Sequence, residues 1–200
     1  MIKKTMAALT LALSSTVVMA QTADYEVTIT NLTPGQTFTP QLVITHSNDF
    51  RLFTLGEPAS EALEILAEDG NTGPGGDEAA KIATDVQTIG GLLEPGQSTS
   101  LVVTGPAERG FFTVAATLSP TNDHFIAANH VRVPAQGAWM RRLFAHAAGT
   151  EANDQNCKNI PGPRCGGEGY SPDLAEGDEG FVHISNGFHD LGDVADDGGE

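Results

Sequence analysis

The stretch Phe111–Pro120, "FFTVAATLSP", sets Phe112, Val114, Ala116 and Leu118 at alternate positions. That two-residue period is the mark of a β-strand with one face turned to a core. The next run, "FIAANHVRVP" at Phe125–Pro134, continues in the same manner, with Val131 and Val133 on either side of Arg132. Further out, "YEVTITNL" (Tyr25–Leu32) alternates Tyr25, Val27 and Ile29 with Glu26, Thr28 and Thr30. It runs into a turn at Pro34–Gln36, and "PQLVITH" (Pro40–His46) follows as another strand. A second turn at Glu94–Gln97 precedes the strand "STSLVVTG" (Ser98–Gly105), while "AWMRRLFAH" (Ala138–His146) and "GFVHIS" (Gly180–Ser185) read as two more.

Only one segment clearly changes period. In "EPASEALEILAEDG" (Glu57–Gly70), Ala59, Ala62, Leu63 and Leu66 recur at helical spacing, Pro58 suits a first turn and Gly70 a stop. The glycine-rich "NTGPGGDE" (Asn71–Glu78) reads as loop, and "AAKIATDV" (Ala79–Val86) as a second small helix. About seven or eight short strands with turn signals between them predict an all-β fold, an antiparallel sandwich with one or two short helices in its connections.

The N-terminus "MIKKTMAALTLALSSTVVMAQ" has Lys3 and Lys4 at the start, a short interrupted apolar run, and small residues at Val18 and Ala20. This is the grammar of a secretory signal peptide over residues 1–20, cleaved after Ala20, and it predicts a secreted or periplasmic protein. No second long apolar run follows, so no membrane span is expected. The formal net charge of -16 makes nucleic acid a poor partner and cations the natural counterpart. About 180 residues remain after the leader, enough for one domain with a real core.

The chain's two cysteines, Cys157 and Cys165, fall in "AGTEANDQNCKNIPGPRCGGEGYSP" (Ala148–Pro172), which has almost nothing apolar. Outside the cytoplasm a disulfide orders a segment that hydrophobic burial cannot. A zinc or redox pair is the weaker reading, because seven residues separate the thiols and no other cysteine completes a metal set.

Several ordered motifs carry a family likeness: "PGQTFTPQLVITH", "RLFTLGEPASEALEILAEDG", "SPTNDHFIAANHVRVP", the cysteine-bearing segment and "EGFVHISNGFHDLGD". Together they resemble the spondin domain, in the form found alone in secreted bacterial proteins, over residues 24–193. The resemblance implies a C2-like β-sandwich, a role in extracellular binding or cell adhesion, and a calcium ion held by loops at one end. Its aspartate after the Ser-Pro strand end falls on Asp123, and the last acid of its Asp-Ala-Gly-Thr-Asp/Glu segment falls on Glu151. The first acid of that segment is replaced by Ala147, so Asn153, Asp154, carbonyls and water would have to complete a weakened shell.

His46, His183 and His189 offer an alternative, a copper or zinc site, since imidazole suits those ions and not calcium. The resemblance implies a His-x-His-x-Gly-x-His run here, whereas this chain has Ser185 at the middle position. His124, His130 and His146 have no readable spacing. For catalysis there is no G-x-S-x-G, HExxH or P-loop motif. A hydrolase built on Ser185, His189 and Asp190 would need a triad from near neighbours, which seldom converge. The chain is therefore expected to be no enzyme, and its partners to be an extracellular protein or glycan. Residues 194–200 read as a flexible acidic tail with no closing strand, which predicts self-association through an open sheet edge.

Overall fold

The computed structural model describes residues 21–47, 50–134, 136–172 and 177–187. The expected leader, His189, Asp190 and the acidic tail all lie outside those residues.

The fold is an antiparallel β-sandwich with two short helices. Its strands are β1 (Thr22–Thr30), β2 (Thr37–Phe38), β3 (Gln41–His46), β4 (Ala83–Ile89), β5 (Ser98–Pro106), β6 (Phe111–Ser119), β7 (His124–Arg132), β8 (Ala145–Ala147) and β9 (His183–Ile184). The helices are α1 (Glu61–Asp69) and α2 (Gly73–Ala80). The larger sheet runs β4-β3-β6-β7-β8-β9, with β2 also paired to β6, and the smaller sheet is the β1–β5 ribbon.

Side-chain alternation sorts the core into two layers. On one face of the larger sheet, Val43, Val114, Ala116, Leu118 and Ile126 meet Ile29 and Val103 of the ribbon. On the other face, Leu42, Ile44, Ala115, Phe125 and Ala127 meet Leu63, Leu66 and Ala67 of α1 and Ala79 of α2. Strand β6 is therefore covered on both sides, and one face would not have sufficed to describe it.

Helix α1 forms as its sequence predicts. The Ser60 side chain accepts from Leu63 N–H at its start, and Gly70, at φ 68°, ends it by donating to Leu66 O. The Leu66 carbonyl also accepts from Thr117 Oγ1, which ties the helix end to β6.

Two expectations are overturned. The predicted loop at "NTGPGGDE" is mostly α2, and the predicted helix at "AAKIATDV" is the end of α2 followed by strand β4. Glycine and proline have poor helix propensity, yet α2 forms where it packs against the larger sheet, with Ala79 in the same core layer as Leu42 and Ile44. A Cβ at Gly75 would stand 3.4 Å from Leu42, and one at Gly76 3.5 Å from Val86. Tertiary contact thus recruits a weak helix, while Val86 and its β-branched neighbours pair along β3, Val86 opposite Ile44. The strand expected over Ala138–His146 also shrinks to Ala145–Ala147, and that over Gly180–Ser185 to His183–Ile184.

Among the described residues, no helix is long and apolar enough to cross a membrane. Cys157 and Cys165 are joined, with Cα atoms 4.7 Å apart. Around them the excursion closes on itself: Gly167 N–H donates to Ile160 O and Glu168 N–H to Lys158 O. Ile160 is its one large apolar side chain that is fully buried.

Candidate metal centre

Asp123 and Glu151, expected as a pair, do come together. Asp123 closes the loop before β7, and its Oδ2 accepts from Gly149 N–H at 2.6 Å and Thr150 N–H at 3.0 Å. Those two bonds pin the carboxylate and leave Oδ1 buried without a partner. Gly149 is required here: at φ +73° its Cβ would stand 2.2 Å from Phe181 O. Glu151 follows two residues later, with Oε2 likewise buried and unpartnered.

A third carboxylate joins them from a distant part of the chain. Glu68, in the last turn of α1, is fully buried, and its Oε2 accepts from Ser171 N–H at 3.1 Å. Its Oε1 has no partner. The Thr150 hydroxyl stands close enough to moderate Glu68 electrostatically, yet outside hydrogen-bond geometry, and is itself unpartnered. In the next turn the buried Gln155, at φ 56°, also leaves its Oε1 unpartnered.

The electrostatics follow from burial plus mutual repulsion. Burial, then the Glu68, Asp123 and Asp154 charges, raises Glu151 to about 8. Burial raises Glu68 to about 7, with Glu64 and Asp123 adding to the rise and the Thr150 hydroxyl and Ser171 N–H opposing it. Burial raises Asp123 to about 6, against the pull of its backbone donors and with the Glu179 charge adding to the rise. Three buried acids that resist ionisation lower their free energy either by holding protons or by sharing a cation. Oxygen-only donors of this kind suit a hard ion such as calcium.

Asp154, the remaining expected ligand, lies beside the cluster, where its charge acts on Glu151. It is exposed, and its Oδ1 caps Asn156 N–H at 2.9 Å and accepts from Asn122 Nδ2 at 3.4 Å. Ala147, where the family likeness calls for an acid, is buried on β8 opposite both His124 and His183.

The expected histidine set is not assembled as drawn. His46 lies at the far end of the larger sheet, paired with Phe111 at the start of β6. Its Nδ1 bonds Ser47 O at 2.6 Å and its Nε2 bonds Thr113 Oγ1 at 2.9 Å. With both nitrogens engaged and its ring among Phe50, Phe111 and His130, His46 is a core residue remote from His183. His189 lies outside the described residues. Ser185 Oγ accepts from Gly187 N–H at 3.0 Å, and its expected hydrolase partners also lie outside them.

A histidine that sequence spacing did not single out, His124, is buried next to Asp123 with Nε2 unpartnered. Burial, then His183, lowers it to about 4, with Glu179 opposing. Signals for the missed residues do exist. Glu68 sits in the last turn of a helix that has no basic residue there, the wrong end of the dipole for an acid. Glu179 precedes His183 by four residues in "EGFVH". Among the described residues, no three His, Cys, Asp or Glu side chains stand at the spacing of a formed metal shell. The cluster is a set of unsatisfied donors, not a closed cage.

No protein-family model matches this chain, and a search of curated proteins found no significant match. The family likeness therefore rests on the quoted motifs alone.

Proposed function

We propose that this chain is an exported, non-enzymatic binding or adhesion module of the spondin type, whose loop end takes a calcium-type cation through Asp123, Glu151 and Glu68. One observation carries the reading. Three buried carboxylates from three separate segments converge, and each keeps one oxygen without a hydrogen-bond partner among the described residues. A buried polar atom left unsatisfied costs about 1–3 kcal/mol, and more if charged, so such a concentration is hard to account for without a ligand. When bound, calcium would supply positive charge to these acids and join the Ala148–Pro172 excursion to α1. Adhesion would then depend on an ion that orders the loops.

The surface supports a binding role as well. Met140 is 88% and Phe144 72% exposed, with Trp139 and Leu143 beside them and Arg141 and Arg142 between. An apolar segment with embedded guanidinium groups suits an acidic or sugar-bearing extracellular partner. The disulfide fits an oxidising compartment.

Calorimetric titration of calcium into the chelator-treated chain tests the site. One equivalent should bind, and Asp123→Asn and Glu151→Gln should each abolish or strongly weaken that step. Binding that survives both substitutions would refute the assignment.

A further inference from the structure

We infer that His124, His183 and Glu179 form a second cation site, distinct in donor chemistry from the oxygen cluster and suited to a divalent transition ion of the zinc class. The inference does not rest on the calcium reading.

Strand register makes the juxtaposition. Ala147 of β8 pairs with His124 of β7 on one side and with His183 of β9 on the other. The three residues occupy one row, and residues opposite one another in a sheet share a face. The two imidazoles thus rise from the same face about 9.6 Å apart at their backbones, twice the strand spacing. Between them stands the smallest side chain that has a Cβ, so the space over Ala147 is left to the rings.

The donor atoms are prepared for an ion. His183 Nδ1 bonds the Ile184 carbonyl at 2.8 Å. A carbonyl only accepts, so Nδ1 carries the proton and neutral His183 presents a lone pair at Nε2. That arrangement, with the far ring nitrogen held by a backbone carbonyl, is how metal-ligating histidines are oriented. Glu179 is held in the same way: its Oε1 accepts from Asn153 Nδ2 at 2.6 Å, leaving Oε2 directed elsewhere. Glu179 Oε2 and His183 Nε2 are 3.8 Å apart, and neither has a hydrogen-bond partner among the described residues. Two Lewis bases face each other with no hydrogen bond between them.

His124 supplies the independent observation. It is only 3% exposed, and its Nε2 is buried without a partner. Its electrostatic neighbours are His183 and Glu179, the other two members of the set. A histidine this deep normally satisfies both nitrogens, as His46 does at the other end of the sheet.

Two imidazole nitrogens and one carboxylate oxygen favour zinc over calcium and leave a fourth position for water or a partner's group. Bonds of about 2.0–2.1 Å in a tetrahedron place ligand atoms about 3.3 Å apart. The 3.8 Å gap between His183 and Glu179 is therefore open by about half an ångström, and because the three side chains do not stand at ligand spacing without an ion, binding has to draw them together.

Zinc titrated into the untagged, chelator-treated chain, with excess calcium to fill the oxygen cluster, tests the inference. One equivalent of zinc should bind, and cobalt in its place should show the visible absorption of a low-coordinate site. His183→Ala and Glu179→Gln, both at partly exposed positions, should each lose the step, and Glu151→Gln should keep it. The inference is overturned if the wild-type chain binds no zinc, if either of the first two variants retains the step, or if only Glu151→Gln loses it.

Discussion

Strands β6 and β7 carry buried polar residues at both ends, and the two ends are built on opposite terms. At the Phe111 end, His46, Thr113, Asn129 and His130 form a closed set. His46 bonds Ser47 and Thr113, Thr113 accepts from His130 N–H, and His130 Nδ1 bonds Phe50 O. Asn129 serves both Leu52 N–H and Phe53 O, and the Phe111 and His130 rings stack with centroids 3.8 Å apart. At the Ser119 end, Asp123, His124, Glu151 and Glu68 each leave one buried atom unpaired. The same sheet thus has a finished polar core at one end and an unfinished one at the other. A satisfied network adds specificity to a fold, whereas buried groups without a protein partner call for water, a proton or an ion to satisfy them.

The largest effect that would sharpen this contrast is the response of stability to calcium and pH together. Glu151, Glu68 and Asp123 have folded-state pKa values raised to about 8, 7 and 6. A carboxyl with a raised folded pKa binds more protons folded than unfolded, so its stabilising contribution is complete below its unfolded pKa of about 4 and is lost as pH rises through the folded value. In chelator, the melting temperature should fall between about pH 4 and pH 8. Calcium at a thousandfold excess over Kd should restore about 4 kcal/mol at pH 8, or roughly 8–16 °C at the 2–4 °C per kcal/mol of a chain this long. Identical melts with and without calcium at pH 8 would erase the contrast between the two ends.

Removing the disulfide should have the next largest effect. Paired replacement of Cys157 and Cys165 by serine relaxes a short loop, for which chain entropy gives about 2.5 kcal/mol. Because Glu151 and the Ser171 N–H that holds Glu68 flank this loop, calcium affinity should fall along with stability. Melting and calorimetry on the same variant would show whether the two losses travel together, and unchanged calcium affinity would separate the disulfide from the site.

A smaller effect is expected from Thr113→Val at the finished end. It strips His46 Nε2 and His130 N–H of a common partner, at about 1–2 kcal/mol, and should leave calcium binding as it was. Glu151→Gln makes the opposite comparison. In chelator at pH 8 it removes a repelled charge, so the melting temperature should rise, not fall. If the two substitutions shifted the melt in the same direction, the ends would not differ in kind.

Much of the fold was legible because strand alternation and helix capping are local. Tyr25, Val27 and Ile29 face the larger sheet as their spacing implies, and Ser60 and Gly70 bound α1. Helix α2 was not legible, since its glycines read as loop and only packing on the larger sheet beside Leu42 and Val86 makes the segment helical. Of the site, Asp123 and Glu151 could be named from the motifs around them, and the cysteine pairing from compartment and composition. Glu68, His124 and Glu179 could not, and His46 was drawn into a group it does not join.

By itself, the sequence determined what short-range periodicity and residue chemistry carry: β-rich architecture, a strongly acidic chain and one cross-linked excursion. The tertiary structure alone decided which polar residues are satisfied. That property belongs to no residue in isolation: it depends on whether a distant helix end, a carbonyl or a neighbouring strand happens to meet a given oxygen or nitrogen. Glu68 and Asp123 lie far apart in the chain and feel one another's charge because α1 packs on β6 and β7. His124 and His183 face one another because β8 pairs with both their strands and places an alanine between them.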